Sequence, residues 1–165
     1  MSHSTRTTIL ALTALALGMS AGHAVAQQPA VAQQPIPITG TYATTFTFAP
    51  TPTPGVFELG INSTGHASFL GNSTGSATHL LDTRVNPNTQ VGPMTFTAAN
   101  GDRLDATYSG VATPPDANGV VRFSGTLTFA GGTGRFSNVT GSAAAQGTAN
   151  LVTGTGLFSF TGTIS

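Results

Sequence analysis

Few side chains of this sequence can do acid–base chemistry, because only 6% of the residues are charged and Glu58 is the only glutamate. His79 has the same parity as Ala77 and Leu81, which predicts an imidazole on the apolar face of a strand. Glu58, His79 and Tyr108 are therefore the candidate catalytic groups. Two alternatives stay open: His79 as a hydrogen-bonded core residue, and Glu58 as a solvated charge at a strand edge.

A metal site is not predicted. His66 and His79 occupy opposite parities of a short repeat, so we expect their imidazoles on opposite faces of a sheet. The chain contains no cysteine, which excludes thiolate ligands and disulfides. We also expect no cofactor.

Two glycine-rich stretches resemble catalytic motifs only by their letters. Gly71-Asn72-Ser73-Thr74-Gly75 has the spacing of a nucleophile elbow, but that device needs a following helix, and none is predicted. Gly132-Thr133-Gly134 lacks the lysine and the helix N-terminus of a phosphate-binding loop. We interpret both stretches as turns.

The N-terminal region has the features of an export signal. Arg6 precedes an apolar run from Ile9 to Met19, and Ala24-Val25-Ala26 fits the small-x-small cleavage pattern. We predict a signal peptide over 1–26, cleaved after Ala26, and a secreted or periplasmic protein with no membrane span. A disordered Pro/Gln linker is expected over 27–37, and a single domain over 38–165.

The amino-acid composition limits the kinds of molecule that the protein can bind. Five basic and five acidic residues cancel, and lysine is absent, so the charge that neutralises phosphates is missing and a nucleic-acid partner is excluded. Ten phenylalanines and 39% hydrophobic residues are typical of a chain that folds.

Alternation of apolar and hydroxylated residues predicts an all-β domain. The clearest strand places Val121, Phe123 and Leu127 on one face and threonines on the other. Asn100-Gly101 between two such runs predicts a hairpin with a type I′ turn. About eight to ten strands are expected, and glycines within them favour a single antiparallel barrel of about eight strands. The candidate ligand-binding residues are the aromatic ones that would line its interior: Phe123, Phe129, Phe158, Phe160 and Tyr42.

Several motifs carry a family resemblance. Gly131-Gly132-Thr133-Gly134-Arg135-Phe136 resembles the hairpin of allene oxide cyclase and dirigent barrels. The order of the later motifs, from about Gly65 to Ser165, looks like uncharacterised secreted bacterial relatives of that barrel. The resemblance implies an eight-stranded, calycin-like barrel with an apolar interior, often a homo-oligomer. Plant members steer a reactive hydrophobic intermediate without a cofactor.

Two functions are therefore considered. The first is a secreted barrel, without enzymatic activity, that binds a small hydrophobic molecule or acts as a structural or surface module. The second is a cofactor-free cyclase or dirigent-like enzyme acting on a hydrophobic intermediate. An enzyme needs an open cavity with an ionisable group at its wall, whereas a binding protein needs only the cavity.

Three sequons, at Asn62, Asn72 and Asn138, are sites for glycans if the host is a eukaryote.

Overall fold

A computed structural model describes residues 34–165, which form eight antiparallel strands joined in sequence order. Each strand pairs with the next, and β1 also pairs with β8, so the sheet closes into a barrel. The predicted all-β class and the antiparallel, eight-stranded barrel are confirmed. The strands are β1 Ile36–Pro50, β2 Val56–Ala67, β3 Gly71–Asp82, β4 Asn88–Ala98, β5 Arg103–Ala112, β6 Val120–Gly132, β7 Thr140–Asn150 and β8 Thr155–Ile164.

The alternation seen in the sequence decides which side chains face the interior. In β6, Leu127 and Phe129 are buried while Thr126 and Thr128 are exposed. Closing a sheet on itself removes its edges, and the threonine hydroxyls face the surrounding water. Interior glycines make room for rings: a Cβ on Gly147 would lie 2.5 Å from Cζ of Phe123. The barrel therefore depends on glycine at positions where a strand passes behind an aromatic side chain.

Asn100-Gly101 forms a hairpin turn, as predicted, but the predicted turn type is wrong. Only Gly101 has a positive φ, of 89°, and its N–H donates to the carbonyl of Ala98. Ala98 in turn donates to the carbonyl of Asp102. This is the three-residue loop in which a type I turn is followed by a glycine bulge, and it needs the left-handed conformation at one residue only.

The prediction that Gly71–Gly75 is a turn is also wrong. The segment lies inside β3, and the hairpin between β2 and β3 turns at residues 68–70. Ser73 faces the interior, where its hydroxyl lies 2.6 Å from the hydroxyl of Tyr42. Asparagine, serine and threonine lie between two glycines here, so turn-forming residue types occupy a strand whose pairing on both sides overrides their local preference.

The two ends of the barrel differ. At the end we call the plugged end, Leu70 and Phe136 are buried and pack with the main core cluster. Phe136 belongs to a short 3₁₀ turn, Gly134–Phe136, in the connection between β6 and β7. The opposite end, called the open end, has four loops: residues 51–55, 83–87, 113–119 and 151–154. The last three of these loops contribute residues to the wall of a cavity.

The predicted signal peptide and residues 27–33 of the predicted linker lie outside the described residues. β1 begins at Ile36, two residues before the expected start of the domain. Pro37 is tolerated because the first residues of β1 pair with β8 only, and pairing with β2 starts at Gly40. Within residues 34–165, no helix is long and apolar enough to cross a membrane.

Candidate functional site: a cavity at the open end of the barrel

The open half of the barrel encloses a cavity of about 430 Å³. This volume is within the usual range for small-molecule sites, roughly 300–1,000 Å³. Side chains from most of the strands form its wall, because every second residue of a strand points inwards. The wall is mainly aliphatic and aromatic, and its phenylalanines are Phe46, Phe48, Phe57, Phe123 and Phe158.

Three buried polar side chains from neighbouring strands interrupt this apolar wall, and the other polar ones, Thr44, Thr83, Asn88 and Thr113, are half-buried or exposed. His79 of β3, Gln90 of β4 and Tyr108 of β5 all line the cavity and are buried. The side-chain amide nitrogen of Gln90 donates to Nδ1 of His79 at 2.7 Å. The rings of His79 and Tyr108 stack, with centroids 5.3 Å apart and planes inclined by 10°. These three side chains, here called the polar triplet, are the chemically distinctive part of the cavity.

Burial keeps the His79 imidazole neutral. It lowers the pKa of His79 to about 4, and a hydrogen bond with the backbone of Pro93 offsets part of that effect. Because Gln90 donates to Nδ1, the proton of the neutral ring is on Nε2. Nε2 is buried, and the carbonyl of Pro93, the only acceptor near it among the described residues, lies outside good hydrogen-bond geometry. His79 therefore presents an N–H donor at neutral pH.

Tyr108 is also a neutral donor. Burial raises the pKa of its phenol to about 12. The ring lies against two paired glycines of β5 and β6: a Cβ on Gly110 would be 2.3 Å from the hydroxyl, and one on Gly125 would be 2.8 Å from Cζ. Glycine at both positions lets the phenol lie along the wall. In the described part of the chain its hydroxyl has no partner.

The structure brings together two of the three candidate catalytic residues. His79 and Tyr108 are neighbours in the cavity, but Glu58 is exposed on the outer face of β2. Glu58 is therefore separated from the cavity by the sheet itself, which corresponds to the solvated alternative for this residue.

Of the five candidate ligand-binding aromatics, Phe123 and Phe158 line the cavity. The other three, Phe129, Phe160 and Tyr42, belong to the packed core, where each is at most 2% exposed. Tyr42 stacks on Phe158 with ring centroids 5.2 Å apart. The aromatic interior is thus divided into a part that lines the cavity and a part that fills the barrel.

Gln90 was not among the predicted site residues, although the sequence contained a signal for it. Gln90, Gly92, Met94 and Phe96 share one parity of β4, and the alternation around Met94 extends back to Gln90. A glutamine on the apolar parity of a strand indicates a buried amide that needs a partner. Here the partner is His79.

His66 and His79 lie on opposite faces of the sheet, as their parities predicted: His66 is exposed and His79 is 3% exposed. Among residues 34–165, no group of three or more histidine, aspartate or glutamate side chains is placed to hold a metal ion. The polar triplet contains one imidazole and no carboxylate. Its donor set is suited to hydrogen bonding.

No family model, curated protein or solved structure matches the chain in comparisons with known proteins. The resemblance to allene oxide cyclase and dirigent barrels stays a prediction made from motifs. The feature of this chain that points to a function is therefore the cavity.

Proposed function

We propose that this protein is exported and that it binds a small hydrophobic molecule in the cavity at the open end of its barrel. The observation that carries the proposal is an apolar cavity of about 430 Å³ in a barrel whose other half is tightly packed. An eight-stranded barrel has room either for its own side chains or for one small ligand. In this chain the half near Phe136 follows the first pattern and the half near Phe123 follows the second.

The cavity favours binding over a purely structural role. An apolar cavity lowers stability, because its wall loses packing contacts that a filled core would have. A larger side chain in place of Ala112 or Ala145, which both line the cavity, would supply such contacts. A barrel serving only as a surface module has no use for this space, whereas a binding protein requires it.

A second candidate function is a cofactor-free cyclase or dirigent-like enzyme acting on a hydrophobic intermediate. The observation that favours it is the presence of His79 and Tyr108, two ionisable side chains, at the wall of the cavity. Their neutral N–H and O–H groups could stabilise charge developing on an oxygen atom of a bound molecule. Glu58 has no role in this version, because it lies on the outer face.

Native mass spectrometry of the protein purified from its source tests the binding proposal. We expect a fraction of the protein to carry one small molecule per chain, released on unfolding. Protein that carries no small molecule, and that binds no hydrophobic compound from an extract of the source, would contradict the proposal.

Two variants separate binding from catalysis. His79→Ala alters the polar triplet, and Glu58→Gln is the matched control on the outer face. If the protein only binds, the molecule leaves both variants chemically unchanged. If it is an enzyme, the molecule is converted by the wild type and by Glu58→Gln, and more slowly by His79→Ala.

A further inference from the structure

We propose that the ligand is an uncharged molecule with an apolar body and one hydrogen-bond-accepting oxygen, such as a carbonyl, and that His79 and Tyr108 donate to this oxygen. The inference depends on the proposed binding function and specifies its ligand class. It combines three features of the cavity: the absence of charge from its wall, two donors without partners, and its size.

The first feature is the absence of charge. None of the side chains lining the cavity is an aspartate, glutamate, lysine or arginine. Both ionisable groups at the wall, His79 and Tyr108, are neutral at physiological pH. A carboxylate or ammonium group buried here would lose its hydration without gaining an ion partner, which is strongly unfavourable. The cavity therefore selects against charged ligands.

The second feature is a pair of donors without partners. Nε2–H of His79 and the hydroxyl of Tyr108 belong to stacked rings; Nε2–H has only the carbonyl of Pro93 beside it, in poor geometry, and the hydroxyl has no partner within residues 34–165. Buried polar groups in folded proteins are almost always hydrogen-bonded, so two exceptions in neighbouring side chains need an explanation. An acceptor oxygen on a ligand explains both. A hydrocarbon would leave both donors unpaired.

Binding requires a small movement of the two rings. Each donor atom has less than 1 Å² of accessible area, and the Tyr108 hydroxyl lies against Gly110 of the wall, so neither donor is exposed to the cavity. The proposed contact therefore requires the stacked pair to move towards the cavity until a carbonyl oxygen can reach both donors. The hydrogen bond from Gln90 to Nδ1 keeps the Nε2–H tautomer of His79 during that shift.

The third feature is size. A volume of about 430 Å³ corresponds to about 14 water molecules at ~30 Å³ each, which is sufficient for a compact ligand of roughly that many heavy atoms. A fused two-ring ketone is of this size. Three naphthalenes of matched shape therefore make suitable probes: 2-acetylnaphthalene, 2-isopropenylnaphthalene and 2-naphthoate, which carry a ketone, an alkene and a carboxylate.

Equilibrium dialysis of the full-length protein against each probe at pH 7 tests the inference. We expect the ketone to bind about tenfold more tightly than the alkene, since one or two hydrogen bonds without competing water contribute about that factor. We expect the carboxylate to bind at least tenfold more weakly than the ketone. Equal affinity for the ketone and the alkene, or tighter binding of the carboxylate, would overturn the inference.

Two tyrosine variants test whether the polar triplet causes the preference for the ketone. Tyr108→Phe should lower the affinity for the ketone several-fold and leave the affinity for the alkene unchanged. Tyr42→Phe is the control, because the Tyr42 hydroxyl already bonds to Ser73 and its ring lies in the packed core. Retained binding of the alkene shows that each variant is folded. If both Tyr108→Phe and His79→Phe still bind the ketone more tightly than the alkene, the polar triplet is not the source of that preference.

The outcomes distinguish this inference from the function on which it depends. If none of the three probes binds and no molecule co-purifies with the protein, the binding function itself fails. If the probes bind without regard to their polar group, the binding function stands and the ligand class proposed here is wrong.

Discussion

At the scale of single residues, the most informative feature is the position of the buried polar atoms that lack a hydrogen-bond partner of good geometry. Three buried polar atoms have no hydrogen-bond partner of good geometry among the described residues: Oγ of Ser63, Nε2 of His79 and the hydroxyl oxygen of Tyr108. Two of the three side chains line the cavity. Sites where local stability is sacrificed are commonly functional, and the pair His79–Tyr108 fits that pattern.

The two tyrosines of the chain provide a direct test. Removing the Tyr42 hydroxyl takes away a bond to Ser73, so Tyr42→Phe should lower the free energy of unfolding by about 1 kcal/mol. Removing the Tyr108 hydroxyl removes an unpaired buried group, so Tyr108→Phe should leave that free energy unchanged or raise it by about 1 kcal/mol. Urea denaturation of the two variants measures both changes. A loss for Tyr108→Phe as large as that for Tyr42→Phe would show that its hydroxyl is paired in solution.

His79 should make stability depend on pH. Its pKa is about 4 in the folded protein and about 6.5 when unfolded, so the unfolded chain binds more protons between these values. The stabilisation is complete above pH 6.5 and is lost as the pH falls towards 4. The difference corresponds to roughly 3 kcal/mol. Denaturation curves at pH 7, 5.5 and 4 should reveal this loss.

Two histidine variants test whether His79 causes this dependence of stability on pH. His79→Phe should have a flatter profile between pH 6.5 and 4, whatever its stability at pH 7. His66→Gln should keep the wild-type slope, because His66 is exposed on the outer face. Identical slopes in the wild type and in His79→Phe would mean that His79 does not titrate in this range.

At the scale of elements, each hairpin depends on a small number of turn residues. The turns at Gly101 and Gly119 are built alike: a glycine with positive φ donates to the carbonyl three residues before it. In the first turn these atoms belong to Gly101 and Ala98, and in the second to Gly119 and Asp116. Both are type I turns with a glycine bulge, whose twist suits antiparallel strands. The position of the glycine thus determines the register of β4 with β5 and of β5 with β6.

Gly101 offers a test of backbone conformation without steric clash, because an added Cβ would have no heavy atom within 4 Å outside its immediate chain neighbours. Gly101→Ala should lower the free energy of unfolding by about 1–2 kcal/mol, the usual penalty for a left-handed L-residue. Gly101→Asn should lower it less, since asparagine adopts this conformation more readily. Thermal unfolding of the two variants measures the difference. An alanine variant as stable as the asparagine variant would contradict this account of the turn.

Element type was predictable because the alternation is a local property that burial on one face imposes. Residues 121–129 show it without interruption, and β6 formed there. The β3 segment was harder, since Asn72 to Gly75 consists of turn-forming residue types, and only the pairing with β2 and β4 makes it a strand. The type of the turn at Gly101 was not predictable either, because Asn-Gly is compatible with a two-residue and a three-residue loop.

At the scale of the whole molecule, the barrel is filled at one end and hollow at the other. Parity in the sequence indicates which residues face inwards, but the height of each residue along the barrel depends on the stagger of all eight strands. Phe129 and Phe123 therefore look equivalent in the sequence, although the first is packed in the core and the second lines the cavity. For the same reason the pairing of His79 with Tyr108 was not predictable from either strand alone.

Two alanines of β7 distinguish the two halves. Ala145 lines the cavity, so Ala145→Leu should fill part of it, raise the free energy of unfolding by about 1 kcal/mol and abolish ligand binding. Ala143 faces the packed half and is 2% exposed, so Ala143→Leu should lower that free energy by about 1–3 kcal/mol. Denaturation and the dialysis assay measure both effects. Equal destabilisation by the two substitutions would indicate that the cavity is closed in solution.

Because Leu70 and Phe136 plug one end of the barrel, a ligand must arrive and leave by the same route. Substitutions at loop residues of the open end that do not line the cavity, such as those in 51–55, then change the association and dissociation rates by a common factor, and the equilibrium constant is preserved. Substitutions at His79 or Tyr108 act mainly on dissociation, as is usual for contacts made only in the final complex. The lifetime of the complex and its affinity can thus be altered independently, at separate places in one small barrel.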